Sequence, residues 1–443
     1  MEFPSSLRPM RHRDFSLVWW SGMVSNAGSW MQTVAVGAFV TAKTGKAGWA
    51  GLAAAAAFLP IGLLAPVGGA LADRLDRRRF IMVASVGEAA MATLLAWMAI
   101  TERAHPGSVT VVVFVAGCIG ALRLPFNQAM VLDLVPRDEI LAAAGLTSAQ
   151  YNLGRVFGPS LAGGVIALWG YGWAFTINAA SFFAVIAAMA LVRVTQERVL
   201  DMTPLWTRIR IGARAARANP GARAAIVLIA FVALTVSPFI ALIPARAYEL
   251  AGGAQVRHLH PDAFRQSVAA ITGYLTTAQG VGAVIGALAI TTMATRFGRR
   301  RMLLLNVIAA PIAVCAYALV GSTLLAVIAL GVVGMLYIGI LSGANTVVQL
   351  WAPTEFRGRI LSLYLVALGA LYPLGGLAHG WIADRIGLAR TTCAAAGLML
   401  LILLVWRVLS PGSLTPLTDP AELGVDPESI NPQPMPRLST EVP

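Results

Sequence analysis

The chain has 443 residues, of which 58% are hydrophobic and 12% charged, with a net charge of +13. So apolar a composition excludes an ordinary soluble enzyme. The basic residues sit in short clusters between long runs of Ala, Gly, Leu and Val, a pattern of membrane topology and not of a nucleic-acid surface. Runs near 20 residues match an α-helix crossing a hydrocarbon core of about 30 Å, while a β-barrel pore would show shorter alternating segments.

In chain order, the first run covers residues 16–40, after a head containing Arg8, Arg11 and Arg13. It is too long for a signal-peptide core and no cleavage pattern follows it, so it reads as an uncleaved first span. Further spans are predicted at 49–72, 80–100, 109–134, 142–168 and 171–192, then at 224–246, 268–294, 302–320, 323–350, 359–383 and 390–409. The expectation is an all-α membrane protein of twelve transmembrane helices in two six-helix bundles, residues 1–192 and 224–410. The cytoplasmic connector at 193–223 holds Pro204, Trp206 and an Arg/Ala repeat, predicting a short cytoplasmic or interfacial helix, with partner binding as the rival reading. In it Trp206 and Ile209 would rest on the bilayer while Arg208, Arg210, Arg214 and Arg217 meet lipid headgroups. The segment 411–443 contains eight prolines and predicts a flexible cytoplasmic tail.

Under this topology 23 Lys and Arg residues fall on one side of the membrane and eight on the other, with Arg123 and Arg155 inside spans. The bias places both termini in the cytoplasm. An internal repeat supports the division into halves. At an offset of 217, Pro136, Asp138, Gly158, Gly163 and Gly170 match Pro353, Glu355, Gly375, Gly380 and Gly387. At an offset of 222, Arg74, Arg77, Arg78 and Arg79 match Arg296, Arg299, Arg300 and Arg301.

The stretch Gly69-Ala-Leu-Ala-Asp73-Arg74-Leu-Asp76-Arg77-Arg78-Arg79 resembles the turn between the second and third helices of the major facilitator superfamily. Asp76 replaces the usual glycine; the second-half copy keeps Gly298 but has Thr295 at the acidic position. The opening residues 13–28 narrow the resemblance to the bacterial branch that contains enterobactin exporters and macrolide efflux proteins. Residues 154–164, with Gly154, Gly158, Pro159, Gly163 and Gly164, resemble the fifth-helix motif of exporters, although the last glycine pair falls one residue late. The resemblance implies two bundles that rock about a central cavity. It assigns conformational gating to Gly69, Asp73, Arg74, Arg78, Gly158 and Pro159. Physically, the glycines permit close helix contact, Pro159 removes a backbone donor, and the arginines anchor a basic turn at the membrane surface.

Arg123 follows a long apolar stretch, where a charge requires an aqueous cavity or a counter-charge. It resembles the fourth-helix arginine of proton-coupled exporters, with Phe126 and Asn127 departing from that pattern. Glu88, a protonatable group in an otherwise apolar third span, is the companion candidate for proton coupling or charge relay. Asn26, Gln32, Asn127, Asn152, Arg155 and Gln349 are the candidate substrate-cavity residues, with Gln279 a further polar position. Trp30, Phe126, Phe157, Phe239 and Tyr274 are candidate aromatic surfaces.

No cofactor is expected, because no phosphate-cradling glycine loop is present. Cys118, Cys315 and Cys393 read as separate packing residues, and the short spacing of His258 and His260 reads as an exposed loop and not a metal site. The expected activity is proton-coupled export of a small amphipathic molecule, such as a siderophore or drug, across the bacterial inner membrane. The alternatives are uptake or lipid transport on the same fold, or a receptor that moves nothing. Membrane lipids and protons are the implied partners, nucleic acid is not, and one chain containing both bundles suits a monomer.

Overall fold

The computed structural model describes residues 5–193, 205–410 and 412–430. Helices dominate because apolar runs of this length satisfy every backbone donor and acceptor internally, as hydrocarbon demands. In the first half these are α1 (Arg13–Thr44), α2 (Ala47–Ala72), α3 (Arg77–Ile100), α4 (Pro106–Asp133), α5 (Ile140–Trp169) and α6 (Tyr171–Leu191). After α7 (Leu205–Ala218), the second half comprises α8 (Pro220–Thr235), α9 (Phe239–Leu250), α10 (Gly253–Leu259), α11 (Pro261–Phe297), α12 (Arg299–Leu319), α13 (Thr323–Trp351), α14 (Arg357–Ile386) and α15 (Leu388–Leu409). The α2–α3 and α11–α12 turns carry the arginine clusters and mark a basic end; the opposite end is called the far end below.

Among the described residues, ten helical segments are long and apolar enough to cross a membrane, against the twelve expected. The two that differ are α1 and α5, which are 32 and 30 residues long. Length is not what they lack. Their apolar runs are diluted by Ser25, Asn26, Ser29 and Gln32 in α1, and by Gln150, Asn152, Arg155 and Ser160 in α5. The span expected at 224–246 is two helices, α8 and α9, broken at residues 236–238. Val236 and Ser237 both donate to the Val232 carbonyl at 2.9 Å, and Pro238 has no N–H to continue the ladder.

The internal repeat is realised in three dimensions. A Cβ at Gly158 would press on the Ala27 carbonyl of α1, and one at Gly375 on the Leu234 carbonyl of α8. Gly163 faces Ala270 of the second half, and Gly380 faces Ala47 of the first. Gly170 and Gly387 both turn the chain at positive φ, 84° and 94°, into the next helix. Glu139 and Phe356 donate to Pro136 and Pro353, each at 3.0 Å, in matching turns.

Two sequence expectations change, for the cysteines and for the tail, while the connector has the expected short helix. Cys315 of α12 and Cys393 of α15 form a disulfide, so of the three cysteines Cys118 alone is free; a 78-residue separation concealed the pairing. Helix α7 packs on α8 and α14 through buried Ala215 and Ala216, with Gly212 against Arg359, while Arg210, Arg214 and Arg217 are exposed. Pro204 and the side chains of Trp206, Arg208 and Ile209 lie outside the described residues. The other change is in the tail, where residues 412–430 dock on the basic end of the second half instead of hanging free, while 431–443 lie outside the described residues. Leu414 and Leu417 are buried, and Thr418 accepts from the Trp351 indole at 2.8 Å. Asp419 pairs with Arg299 at 2.8 Å.

Trp351 is 1% exposed and also carries the carbonyl that receives Asn219 at the start of α8. Trp351→Ala is expected to cost about 3–5 kcal/mol, as for other large buried aromatics. The readout is thermal unfolding of the purified protein in detergent, and an unchanged midpoint would show that the tail site collapses without loss.

Candidate functional site

The two halves meet along two seams, α2 with α14 and α5 with α11. Lipid tails are as apolar as leucine, so helices attract through close packing and not through a hydrophobic drive. Small residues supply that closeness. Gly51 lies against the Gly376 carbonyl, and Gly273 against the Pro159 carbonyl and Gly163.

Polar contacts fasten the far end of these seams. The Asp384 carboxylate near the end of α14 accepts the backbone N–H groups of Ala47 and Gly48, at 2.7 and 3.1 Å, and so caps the N-terminus of α2 across the interface. A carboxylate at that helix end also meets the positive pole of the helix dipole. Arg257 donates to the Lys43 carbonyl at 2.7 Å, and the Tyr171 hydroxyl to the Arg265 carbonyl at 3.3 Å. Further in, the hydroxyls of Ser160 and Thr277 are 2.9 Å apart.

Half way along α5 and α11, Arg155 donates to the Gln279 carbonyl oxygen at 3.1 Å. Its guanidinium carbon lies 5.7 Å from the centre of the Trp30 ring. Trp30 stands 5.9 Å from Tyr151 and 6.2 Å from Phe58, and Phe58 is 5.9 Å from Tyr372. These residues come from α1, α2, α5, α11 and α14, so both halves build one cation-and-aromatic site. Arg155, Gln279 and Trp30 are sequence-predicted members. Phe58, Tyr151 and Tyr372 were missed, because an aromatic in an apolar span carries no local mark of what it faces. Asp384 was missed because a charge near a span end reads as a loop residue.

The other predicted positions divide differently. Asn26 donates to the Gln150 and Tyr151 carbonyls at 3.4 Å and packs under Gly154, which ties α1 to α5. Gln32 accepts from Asn178 at 2.8 Å, linking α1 and α6 inside the first half. Asn152 bonds back to Ser148 of its own helix, and Gln349 to Asn345 of its own. Asn127 is half-buried on α4. Phe126 is fully buried and stacked on Phe80 at 3.8 Å, which makes it core and not cavity. Phe239 is likewise buried, edge-on to Tyr337, whereas Phe157 and Tyr274 are exposed.

Glu88 and Arg123 pair with each other. Arg123 Nε approaches Glu88 Oε2 at 2.7 Å, Nη2 reaches Oε1 at 3.4 Å, and the guanidinium lies 6.0 Å from the Phe182 ring. The pair sits among α3, α4 and α6 of the first half, not on a seam. At the basic end, Arg77 grips Asp133 with one guanidinium nitrogen, 2.7 and 2.6 Å from the two carboxylate oxygens. Arg78 donates to the Met189 and Ala190 carbonyls at 2.5 and 2.8 Å, closing the end of α6. Asp76 accepts from the Arg79 N–H at 2.8 Å, so the residue that departs from the resembled motif caps α3. Asp73 ends α2 and Arg74 is exposed. The close helix approach expected of Gly69 falls instead on Gly68, which lies against the Leu122 carbonyl; a Cβ at Gly69 would meet nothing within 4 Å.

Residues 4–415 match the family described as transmembrane secretion effector. The chain belongs to this family, within the major facilitator superfamily. As a secretion-effector family member it is a multi-pass membrane transporter of small molecules and not an enzyme. The multidrug efflux pump Tap of Mycolicibacterium fortuitum is 26% identical to it over 395 residues, 87% of this chain and 93% of that protein. Macrolide efflux protein A of Streptococcus pyogenes is 25% identical over 407 residues, 89% and 96% of the two chains. The nucleoside transporter NupG shares the fold, with a TM-score of 0.69 over 89% of this chain and 98% of NupG at 14% identity.

Two outcomes are expected for this transporter. Asp384→Asn weakens a helix-terminus interaction worth about 1 kcal/mol and so shifts the far-end-closed population about fivefold. Spin-label distances between the far ends of α2 and α14 report that shift, and an unaltered distance distribution would remove Asp384 from the closure. Glu88→Gln or Arg123→Gln alone leaves a buried charge uncompensated and destabilises by about 3–5 kcal/mol, whereas Glu88→Gln with Arg123→Met restores most of the loss. Thermal unfolding decides this; a double variant no more stable than either single one would dissolve the pair as a unit.

Proposed function

We propose that the chain is an alternating-access secondary transporter of a small amphipathic molecule, bound where Arg155, Gln279 and Trp30 bridge the halves. That bridging site, lying beneath a fastened far end, is the observation that carries the reading. A solute held between two bundles is released to whichever side parts, and the seam contacts are the ones that must exchange.

The narrower architecture belongs to the same proposal. Twelve spans form two six-helix bundles, 1–192 and 224–410, joined by 193–223, with the tail and both termini in the cytoplasm of a bacterial cell. The length of α1 and α5 supports the count, and the 23-to-eight bias of basic residues supports the orientation. The far end is then the outer side and the site opens inward. Asp73, Arg74 and Arg78 govern the inner turn, with Gly68 supplying the close approach, while Gly158 and Pro159 hold α5 between α1 and α11. Pairing of Glu88 with Arg123 supports a charge relay, in which protonation of Glu88 releases the arginine. One chain contains the complete site, so the working unit is a monomer.

Transport by this fold in either direction has broader support than export alone, since the fold shared with NupG selects no direction. Export is the second reading, and the names of Tap and macrolide efflux protein A favour it. Purified protein in vesicles of known orientation separates these. Flux of a labelled amphiphile is expected in both orientations, faster in one under an imposed proton gradient. Binding without any counterflow would replace the transporter by a receptor, and flux indifferent to the proton gradient would end the coupling role of Glu88.

A further inference from the structure

The two arginines inside the membrane are compensated in different ways. Arg123 has the Glu88 carboxylate at 2.7 Å. Arg155 has the neutral oxygen of Gln279 at 3.1 Å and the face of Trp30 at 5.7 Å. Among the described residues no carboxylate lies within ion-pair distance of Arg155. An amide and a ring reduce the cost of a buried guanidinium, but they leave its net charge in place. Among the described residues, the five N–H donors of Arg155 meet one protein acceptor.

Gln279 adds an independent observation. The residue is 1% exposed, its oxygen is taken by Arg155, and its Nε2 is buried with no acceptor. Native proteins rarely leave a buried donor unmatched, because the lost hydration is not returned. Two neighbouring side chains therefore present donors to a place where the protein supplies no anion. Around them stand Trp30, Phe58, Tyr151 and Tyr372, with centroid spacings of 5.9 to 6.2 Å and Tyr151 half open at 49% exposure.

We propose that this site takes a planar aromatic anion, an aromatic carboxylate or phenolate, whose charged group meets Arg155 and the Gln279 amide while its ring lies among Trp30, Phe58 and Tyr151. The assignment rests on the transporter reading above and narrows its substrate. A bidentate oxyanion matches the guanidinium fork and supplies the missing acceptor. A cationic amphiphile would face a half-buried guanidinium with no carboxylate to receive it, a repulsion stronger there than in bulk water.

The test uses one ring system in three charge forms: anthracene-9-carboxylate, its neutral carboxamide, and 9-anthracenylmethylammonium. Binding to the purified full chain is measured by equilibrium dialysis, and movement is measured separately in reconstituted vesicles. The carboxylate is expected to bind at least about tenfold more tightly than the ammonium, the worth of one charge-assisted hydrogen bond. Arg155→Gln is expected to erase that preference, Arg155→Lys to keep part of it, and Gln279→Leu to weaken carboxylate binding with the ring contribution intact. Unfolding midpoints identify any variant that fails to fold, and the three-probe comparison on the native chain stands without variants. Preferential binding of the carboxylate without flux in any gradient would keep the site and overturn the transporter reading. Flux of the ammonium form in preference to the carboxylate would keep the transporter and overturn the site. No binding of any of the three would also overturn it.

Discussion

Close approach of helices at the α2–α14 and α5–α11 seams is what the remaining structure depends on. Within a bilayer two helices gain little by hiding apolar surface from each other, so they adhere only where their backbones come near. Gly51 against Gly376 and Gly273 against Gly163 provide that nearness. Once the backbones are close, small polar groups can finish the contact, as Ser160 does with Thr277 and Asp384 with the first N–H groups of α2. Glycine packing and hydrogen bonding thus act together on one side of the membrane. The contacts are individually modest, which suits an interface that has to part and re-form.

Charge inside the hydrocarbon follows a different logic in each place it occurs. Arg123 is answered by Glu88 within one bundle, so its compensation survives any rocking of the halves. Arg155 is answered by Gln279 of the opposite half, so its compensation depends on the seam. Under the proposed alternating access, the first arrangement maintains a bundle throughout. The second couples the environment of a charge to the relative position of the halves, which is the physical requirement for a site that senses occupancy.

Much of this was legible in the sequence, for identifiable reasons. Apolar runs fix helices because hydrocarbon allows few alternatives, and the offset of 217 pairs Gly163 with Gly380, although not the helices that each one meets. Arg155 and Gln279 stood out because polar side chains in a span are costly. The rest was hidden by distance or by composition. Cys315 and Cys393 looked unrelated 78 residues apart. Tyr151 and Tyr372 resembled any lipid-facing aromatics, since helical phase alone does not say which neighbour a ring meets. The break at residues 236–238 lay within an otherwise apolar run, and the prolines after 411 suggested disorder where short packed turns occur.

Those packed turns bear on where the folded unit stops. The family match ends at residue 415, yet Leu417, Thr418 and Asp419 are the residues that cover Trp351 and neutralise Arg299. In the first half the equivalent arginine, Arg77, is neutralised from within its own bundle by Asp133; the second half has Leu350 at the position matching that aspartate and borrows its acid from beyond the last helix. A chain trimmed at the homology boundary would therefore keep every membrane-crossing segment and still lose part of one bundle's closure. Leu417 to Asp419, with Val425 and Ile430 packed on the same core, thus belong to the folded second half although they follow its last membrane-crossing helix.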